Sequence, residues 1–272
     1  MELRRHLVDK LRALTADFAY DGHDGTHQPL RSVPTRFRGH LGRGREWAGT
    51  SGKCWAYTED LRSTSRAAND LLPRLERACT ENEQLAASFD AKIAALDIET
   101  CGFTSAPVFM VGILTAGAET LSFHQAVARD YEEEPALLEW TRGRLHDVGL
   151  VVTFNGTTFD LPFLRERFRF HRLPELPQMR HLDLLPVCRR IWKGQFPNCR
   201  LQTLEERILG FVRKGDIPGV EIPDVYHAFV STGDSRHICR VAEHNRLDLI
   251  SLLRILVEAT RVRPKHEDDI SR

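Results

Sequence analysis

Apolar side chains recur at Leu3, Leu7, Leu11, Leu14 and Phe18, in steps of four, four, three and four, the stripe of one helix face. This spacing predicts a helix over 3–19, ended by Asp21-Gly22. Residues 20–58 are glycine-rich and lose the periodicity, so an irregular segment is expected there. Residues 59–88 read as helical again, with Leu71, Leu72, Leu75 and Leu85 as buried candidates. The texture changes at Lys92. KIAALDI and VFMVGIL are short apolar runs and ETLSFH alternates, which predicts consecutive strands. A helix is expected over 133–147 and a strand over 150–155. Further helices are expected over 159–170, about 182–193, 203–209, 224–231 and about 236–261. Strands first, then strand–helix alternation, indicate an α/β fold: a mixed sheet covered by helices. The expected organisation is an N-terminal helical and irregular extension (1–89), an α/β domain (90–262) and an acidic tail (263–272).

Composition narrows the class. The chain has 272 residues, 42% of them hydrophobic and 28% charged, a balance that excludes a disordered, collagen-like or membrane-spanning chain. Thr100 to Ala118 carries no charge, yet its Gly, Pro, Ser and Thr content suits a turn and a buried strand rather than a membrane span. Lys+Arg and Asp+Glu are both 38, so the total charge announces no nucleic-acid binder and local distribution must decide. Residues 31–53 hold six bases (Arg31, Arg36, Arg38, Arg43, Arg45, Lys53) against Glu46. Residues 165–214 hold 12 bases against five acids, a second candidate phosphate-contacting surface. The six cysteines show neither C-x-x-C nor zinc-finger spacing, and the start MELRRHLVDKLRAL lacks the apolar core of a signal peptide. The expectation is a cytoplasmic protein with free thiols.

Three places put carboxylates in unfavourable company. Asp97 and Glu99 end an apolar strand two residues apart, so both point to one face of the sheet. Their repulsion is relieved either by solvent at a strand end or by a divalent cation. Asp160 follows a buried strand and Asn155-Gly156, where it serves as a helix cap or as a ligand. His244 and Asp248 are four apart on the last helix and share a face, as a structural pair or a catalytic one. A further cluster, Asp21, His23, Asp24 and His27, lies in a glycine-containing loop.

Taken in order, the strand-end D-x-E, the N-G-x-x-F-D after a strand and the H-x-x-x-D of the last helix resemble the DEDD exonucleases. The finer resemblance is to the YprB-type ribonuclease H-like proteins of bacteria, over about residues 90–260. It rests on Leu96 to Gly102, Asn155 to Pro162, His181 to Leu184, Leu201 to Glu205, Asp216 to Gly219, Ile222-Pro223 and His244 to Asp248. The resemblance implies a ribonuclease H-like fold and a 3′-5′ exonuclease acting on DNA or RNA. It implies two Mg²⁺ or Mn²⁺ ions held by Asp97, Glu99, Asp160 and Asp248, with Asp97 bridging both and His244 as general base. In other DEDD branches a catalytic His stands five residues before the last Asp and a Tyr four before. Here His244 takes the four-residue place and Glu243 the five-residue one. Gly102, Phe103 and Asn155 are the candidate substrate contacts: a close backbone approach, a base-stacking ring and a group that orients Asp160 or touches substrate. The competing activities are a structure-specific endonuclease and a catalytically weak binding module on the same fold. The expected partner is a nucleic acid with a 3′ end and no membrane. A role in DNA repair or nucleic-acid processing, with a helicase or repair partner, is left without a name.

Overall fold

The computed structural model describes residues 37–64, 66–81, 92–102, 105–117 and 119–262. The expected helix over 3–19, the cluster at Asp21 to His27, Arg31, Arg36, Leu85, Phe103 and the tail over 263–272 lie outside them.

Seven strands form one sheet: β1 (Arg45–Gly49), β2 (Gly52–Asp60), β3 (Ile93–Thr100), β4 (Val108–Gly117), β5 (Thr120–Val127), β6 (Leu150–Thr153) and β7 (Arg180–Asp183). Their spatial order is β1-β2-β5-β4-β3-β6-β7. The first five pair antiparallel, while β6 and β7 continue parallel to β3 on its other side. The longer helices are α1 (Arg66–Thr80), α2 (Glu134–Arg144), α3 (Asp160–Phe170), α4 (Leu184–Trp192), α5 (Ile222–Thr232) and α6 (Arg236–Arg261). The mixed sheet with helical cover is the fold class that the hydrophobic pattern implies.

One expectation is corrected. Within the segment read as irregular, residues 45–60 make a β-hairpin, and β2 extends the sheet by pairing with β5. The reason lies in its turn and its two faces. Gly49 and Gly52 flank the turn, Gly52 at a φ of +114°, which a side chain would resist. Glu139 of α2 then pins that turn, accepting from the Thr50 and Ser51 amides at 3.0 and 2.7 Å. Along β2, Cys54 and Ala56 face one core and Tyr57 the other. The first described residues also belong to the packed body, because Phe37 and Leu41 are buried.

Alternation sorts the strands between two cores. Ala94, Leu96 and Ile98 of β3 pack with α2 and α3, whereas Ile93 and Ala95 pack on the side of α1 and α6. Asp97 and Glu99 fall on the α6 side by the same count. Helix α6 returns a buried stripe at Ile238, Val241, Ala242, Asn245, Leu249, Leu252 and Leu256 against that face. The stripe turns His244 and Asp248 toward the end of β3.

Candidate active site

Strand β3 runs buried until Asp97, and the chain then leaves the sheet at an irregularity between Glu99 and Thr100. Thr100 turns it, its hydroxyl donating to the Gly102 carbonyl at 2.7 Å. Gly102 sits at a φ of +156° and lines the cleft beside Asp97 and Glu99. The return into β4 is braced from behind. The Arg167–Glu134 ion pair, itself buried, holds Val108 N and Ser105 O at 2.8 and 3.0 Å.

Asp160 arrives from the next crossover. It is the first residue of α3 and not its cap, since Phe159 stands in the cap position. Its buried carboxylate accepts from the Ile98 backbone N–H, between Asp97 and Glu99. The loop before it is fixed by Asp183, whose carboxylate accepts from the amides of Asn155, Thr157 and Leu185 at 2.8, 3.0 and 3.0 Å. Those three amides hold the Asp183 carboxyl low against the opposite effect of burial. Asn155 takes a left-handed φ of 69°, and its side chain accepts from the Thr158 hydroxyl at 2.9 Å. Its described partners are therefore those of the turn.

Helix α6 supplies the other side. His244 Nδ1 donates to Asp216 Oδ1 at 2.8 Å, and its Nε2 faces Asp248 Oδ2 at 3.8 Å. Glu243, at the five-residue spacing, turns instead to His40 Nδ1 at 3.5 Å. Asp97 accepts from Asn245 Nδ2 at 2.7 Å. Arg213 is buried among acids: it donates to Glu205 at 2.5 and 2.7 Å, to Asp216 at 3.2 Å and to Asp248. These contacts revise the second basic surface, because Arg213 and Arg167 are spent on internal ion pairs.

Burial raises the pKa of Asp97, and the Asp248, Glu99 and Asp160 carboxylates raise it further. Glu99 is raised by burial and then by Asp248, Asp160 and Asp216. Burial pushes Asp160 up to about 7. Asp248 is also raised by burial, although His244 and Arg213 oppose it. Burial would raise Asp216 too, but the His244 hydrogen bond and the His244 and Arg213 charges hold it low. The four acids singled out in the sequence thus share one electrostatic neighbourhood, with His244 beside them. Asp97, Glu99, His244, Asp248, Phe159 and Val220 line a cleft of about 220 Å³.

Among the described residues, no three Asp, Glu, His or Cys side chains already meet at a point suited to a metal ion. Asn245 holds an oxygen of Asp97, and Arg213 holds one of Asp248. The donor set nonetheless fits a hard divalent cation: four carboxylates that repel one another, in the oxygen-only chemistry that Mg²⁺ and Mn²⁺ take. Sequence reasoning missed Asp216, Arg213, Glu205 and Asn245 as members of the site. The available signals were the place of Glu205 and Asp216 in the runs that carry the resemblance, and Asn245, a polar side chain inside the buried stripe of α6.

The chain is 29% identical over 170 residues to the uncharacterized protein YprB of Bacillus subtilis (strain 168). That stretch spans 61% of this chain and 41% of YprB. A family B DNA polymerase from the hyperthermophilic archaeon Pyrobaculum calidifontis superposes with a TM-score of 0.49 at 15% identity, over 63% of this chain and 27% of that one. The family model of the RNase_H superfamily matches residues 94–260, the stretch that carries Asp97, Glu99, Asp160, His244 and Asp248. The chain belongs to the RNase H superfamily, and over much of the same stretch it is similar to YprB.

Proposed function

We propose that the protein is a metal-dependent 3′-5′ exonuclease that releases nucleoside 5′-monophosphates from a nucleic acid strand. The observation that supports this reading is the mutual repulsion of Asp97, Glu99, Asp160 and Asp248, brought from three separate elements into one electrostatic neighbourhood, beside a histidine with its own carboxylate. Two Mg²⁺ or Mn²⁺ ions held by those four acids would offset phosphate charge and acidify an attacking water. The 3′ polarity and the pair of ions rest on the resemblance to the DEDD exonucleases.

The protein's own groups have distinct tasks in this reading. Asp216 takes the Nδ1–H of His244, which leaves the Nε2 lone pair free for the cleft. Nε2 accepts a proton from water as the water oxygen attacks phosphorus. The bond from phosphorus to the 3′ oxygen breaks, and that oxygen takes a proton from solvent. Asp216 stabilises the imidazolium that results. Arg213 keeps Asp248 oriented and is itself anchored by Glu205. Gly102 and the exposed Val220, both in the cleft lining, are the contacts offered to the terminal nucleotide.

The test is digestion of 5′-labelled and 3′-labelled DNA and RNA with Mg²⁺, Mn²⁺ or EDTA. The expected result is a ladder shortening from the 3′ end, stopped by EDTA and by a 3′-terminal block, and indifferent to a 5′ block. Internal products would replace this reading with an endonuclease. Binding without cleavage would replace it with a binding module.

A further inference from the structure

A row of residues crosses the sheet at the level of Asp97. In register, Asp97 of β3 stands opposite Gly112 of β4, Gly112 opposite Gln125 of β5, and Gln125 opposite Tyr57 of β2. Facing residues in such a row share one side of the sheet, here the side covered by α6. Gly112 leaves a gap in the row, and the Asn245 amide fills it. A Cβ at Gly112 would lie 2.0 Å from Asn245 Oδ1. The amide therefore reaches both neighbours of the gap. Its Nδ2 donates to Asp97 Oδ2 at 2.7 Å and to the Asp97 carbonyl at 3.2 Å. Its Oδ1 accepts from Gln125 Nε2 at 2.7 Å.

The chain of bonds continues. Gln125 Nε2 also donates to the Ala242 carbonyl at 3.0 Å, and its Oε1 meets His40 Nε2 at 2.7 Å. Asn245 and Gln125 have no measurable exposure, and His40 has 8%. The direction of every link follows from the acceptors. The backbone carbonyls of Asp97 and Ala242 can only accept, so both amide nitrogens are placed. Gln125 Oε1 then needs a donor, which requires a proton on His40 Nε2.

We propose that His40, Gln125 and Asn245 are positioning residues for the metal site: a buried one-way relay that fixes the Asp97 carboxylate. The inference rests on the reading of Asp97 as a cation ligand. Three facts favour a positioning role over plain core filling. The row sacrifices a side chain at Gly112 to admit an amide. The helix spends a position of its apolar stripe on Asn245. The relay ends on a carboxylate that repulsion from Asp248, Glu99 and Asp160 would otherwise turn away. A hydrogen bond from a neutral amide holds that carboxylate without cancelling its charge, which leaves it able to take a cation. The relay also makes residues just before β1 part of the site's framework.

The experiment measures Mn²⁺ affinity of the metal-free protein by electron paramagnetic resonance, with kcat, KM and melting temperature alongside. Asn245→Leu is expected to weaken Mn²⁺ by ~10–100-fold, and Gln125→Leu by roughly tenfold, the range for partners behind a metal ligand. Adding Gln125→Leu to Asn245→Leu should cost no further affinity, because the relay is already cut. His40→Phe should lower affinity and kcat with KM unchanged, and His40→Gln, which restores a donor, should recover both. The His40 pair decides the matter if the buried-strand variant does not fold. Folded variants that bind Mn²⁺ as the parent does, or independent additive losses, would overturn the relay while leaving the metal site standing. A parent protein that binds no Mn²⁺ would overturn the metal reading, and this inference with it.

Discussion

Asp160→Asn should stabilise the metal-free protein while abolishing its activity. The carboxyl is buried, 3% exposed, and pushed up from an ordinary 3.8 to about 7. Its folded pKa lies above its unfolded one, so between these values the folded state binds more protons than the unfolded state. Stability is then lost as pH rises through that window, and the full penalty is present above pH 7. At ~1.4 kcal/mol per pH unit the penalty is at most about 4 kcal/mol. Asparagine keeps an oxygen to accept from Ile98 N–H and removes the charge. In EDTA at pH 8, denaturant melts should show the variant more stable by up to about 4 kcal/mol, or by several degrees in Tm at ~2–4 °C per kcal/mol. The gain should shrink to nothing near pH 4, where the parent carboxyl is protonated too. Mg²⁺ should raise the Tm of the parent more than that of the variant, since binding to the folded state alone stabilises it. A variant less stable than its parent at pH 8, or a gain that ignores pH, would refute the electrostatic argument.

Other expectations follow from the site and its supports. Asp216→Asn should lower kcat by ~10²–10⁴-fold with little change in KM, because it removes the group that selects the His244 tautomer; unchanged kcat would remove Asp216 from the mechanism. Arg167→Met should destabilise the fold by about 3–5 kcal/mol at neutral pH, since it leaves the Glu134 carboxylate buried with a weaker partner; thermal melts check this, and a neutral outcome would show that His171, 2.7 Å from Glu134, suffices. Replacing Arg38, Arg43 and Arg45 together by Ala should flatten the salt dependence of single-strand binding by roughly two log units per log salt. An unchanged slope with a lowered melting temperature would assign these arginines to the scaffold, as the Arg43 stack on Tyr57 and its pair with Glu59 suggest.

The legible parts of the chain are those where one physical effect dominates. Strands β3, β4 and β6 are legible because their apolar runs are buried on both faces, and α6 is legible from Arg236 to Arg261 because its buried stripe recurs over seven turns. Asp97 and Glu99 were visible because charge is costly in such a run. The β1–β2 hairpin was not, because GKCWAYTED mixes charged ends with a middle that two different cores share. Glu205 and Asp216 stand in the runs that carry the resemblance and Arg213 in the second basic stretch, yet none was placed in the site, for a related reason. Each looks like solvated charge in a loop or on a short helix, and only tertiary packing buries them together. Asn245 lay in plain sight, but its use depends on a missing side chain on a strand far away in sequence, Gly112.

The hairpin has a practical consequence for anyone who would trim this protein. The family match begins at residue 94, and the recognised acids begin at Asp97. A fragment started there would strip β2 from β5, leaving the peptide groups from Ser122 to Val127 without their ladder. An uncovered edge of that kind invites pairing with another copy and precipitation. The same cut would remove Tyr57, Leu61, Leu71 and Leu75 from the core beneath α6. A fragment that keeps the sheet and this core intact therefore has to include Phe37, well ahead of the border that similarity alone would draw.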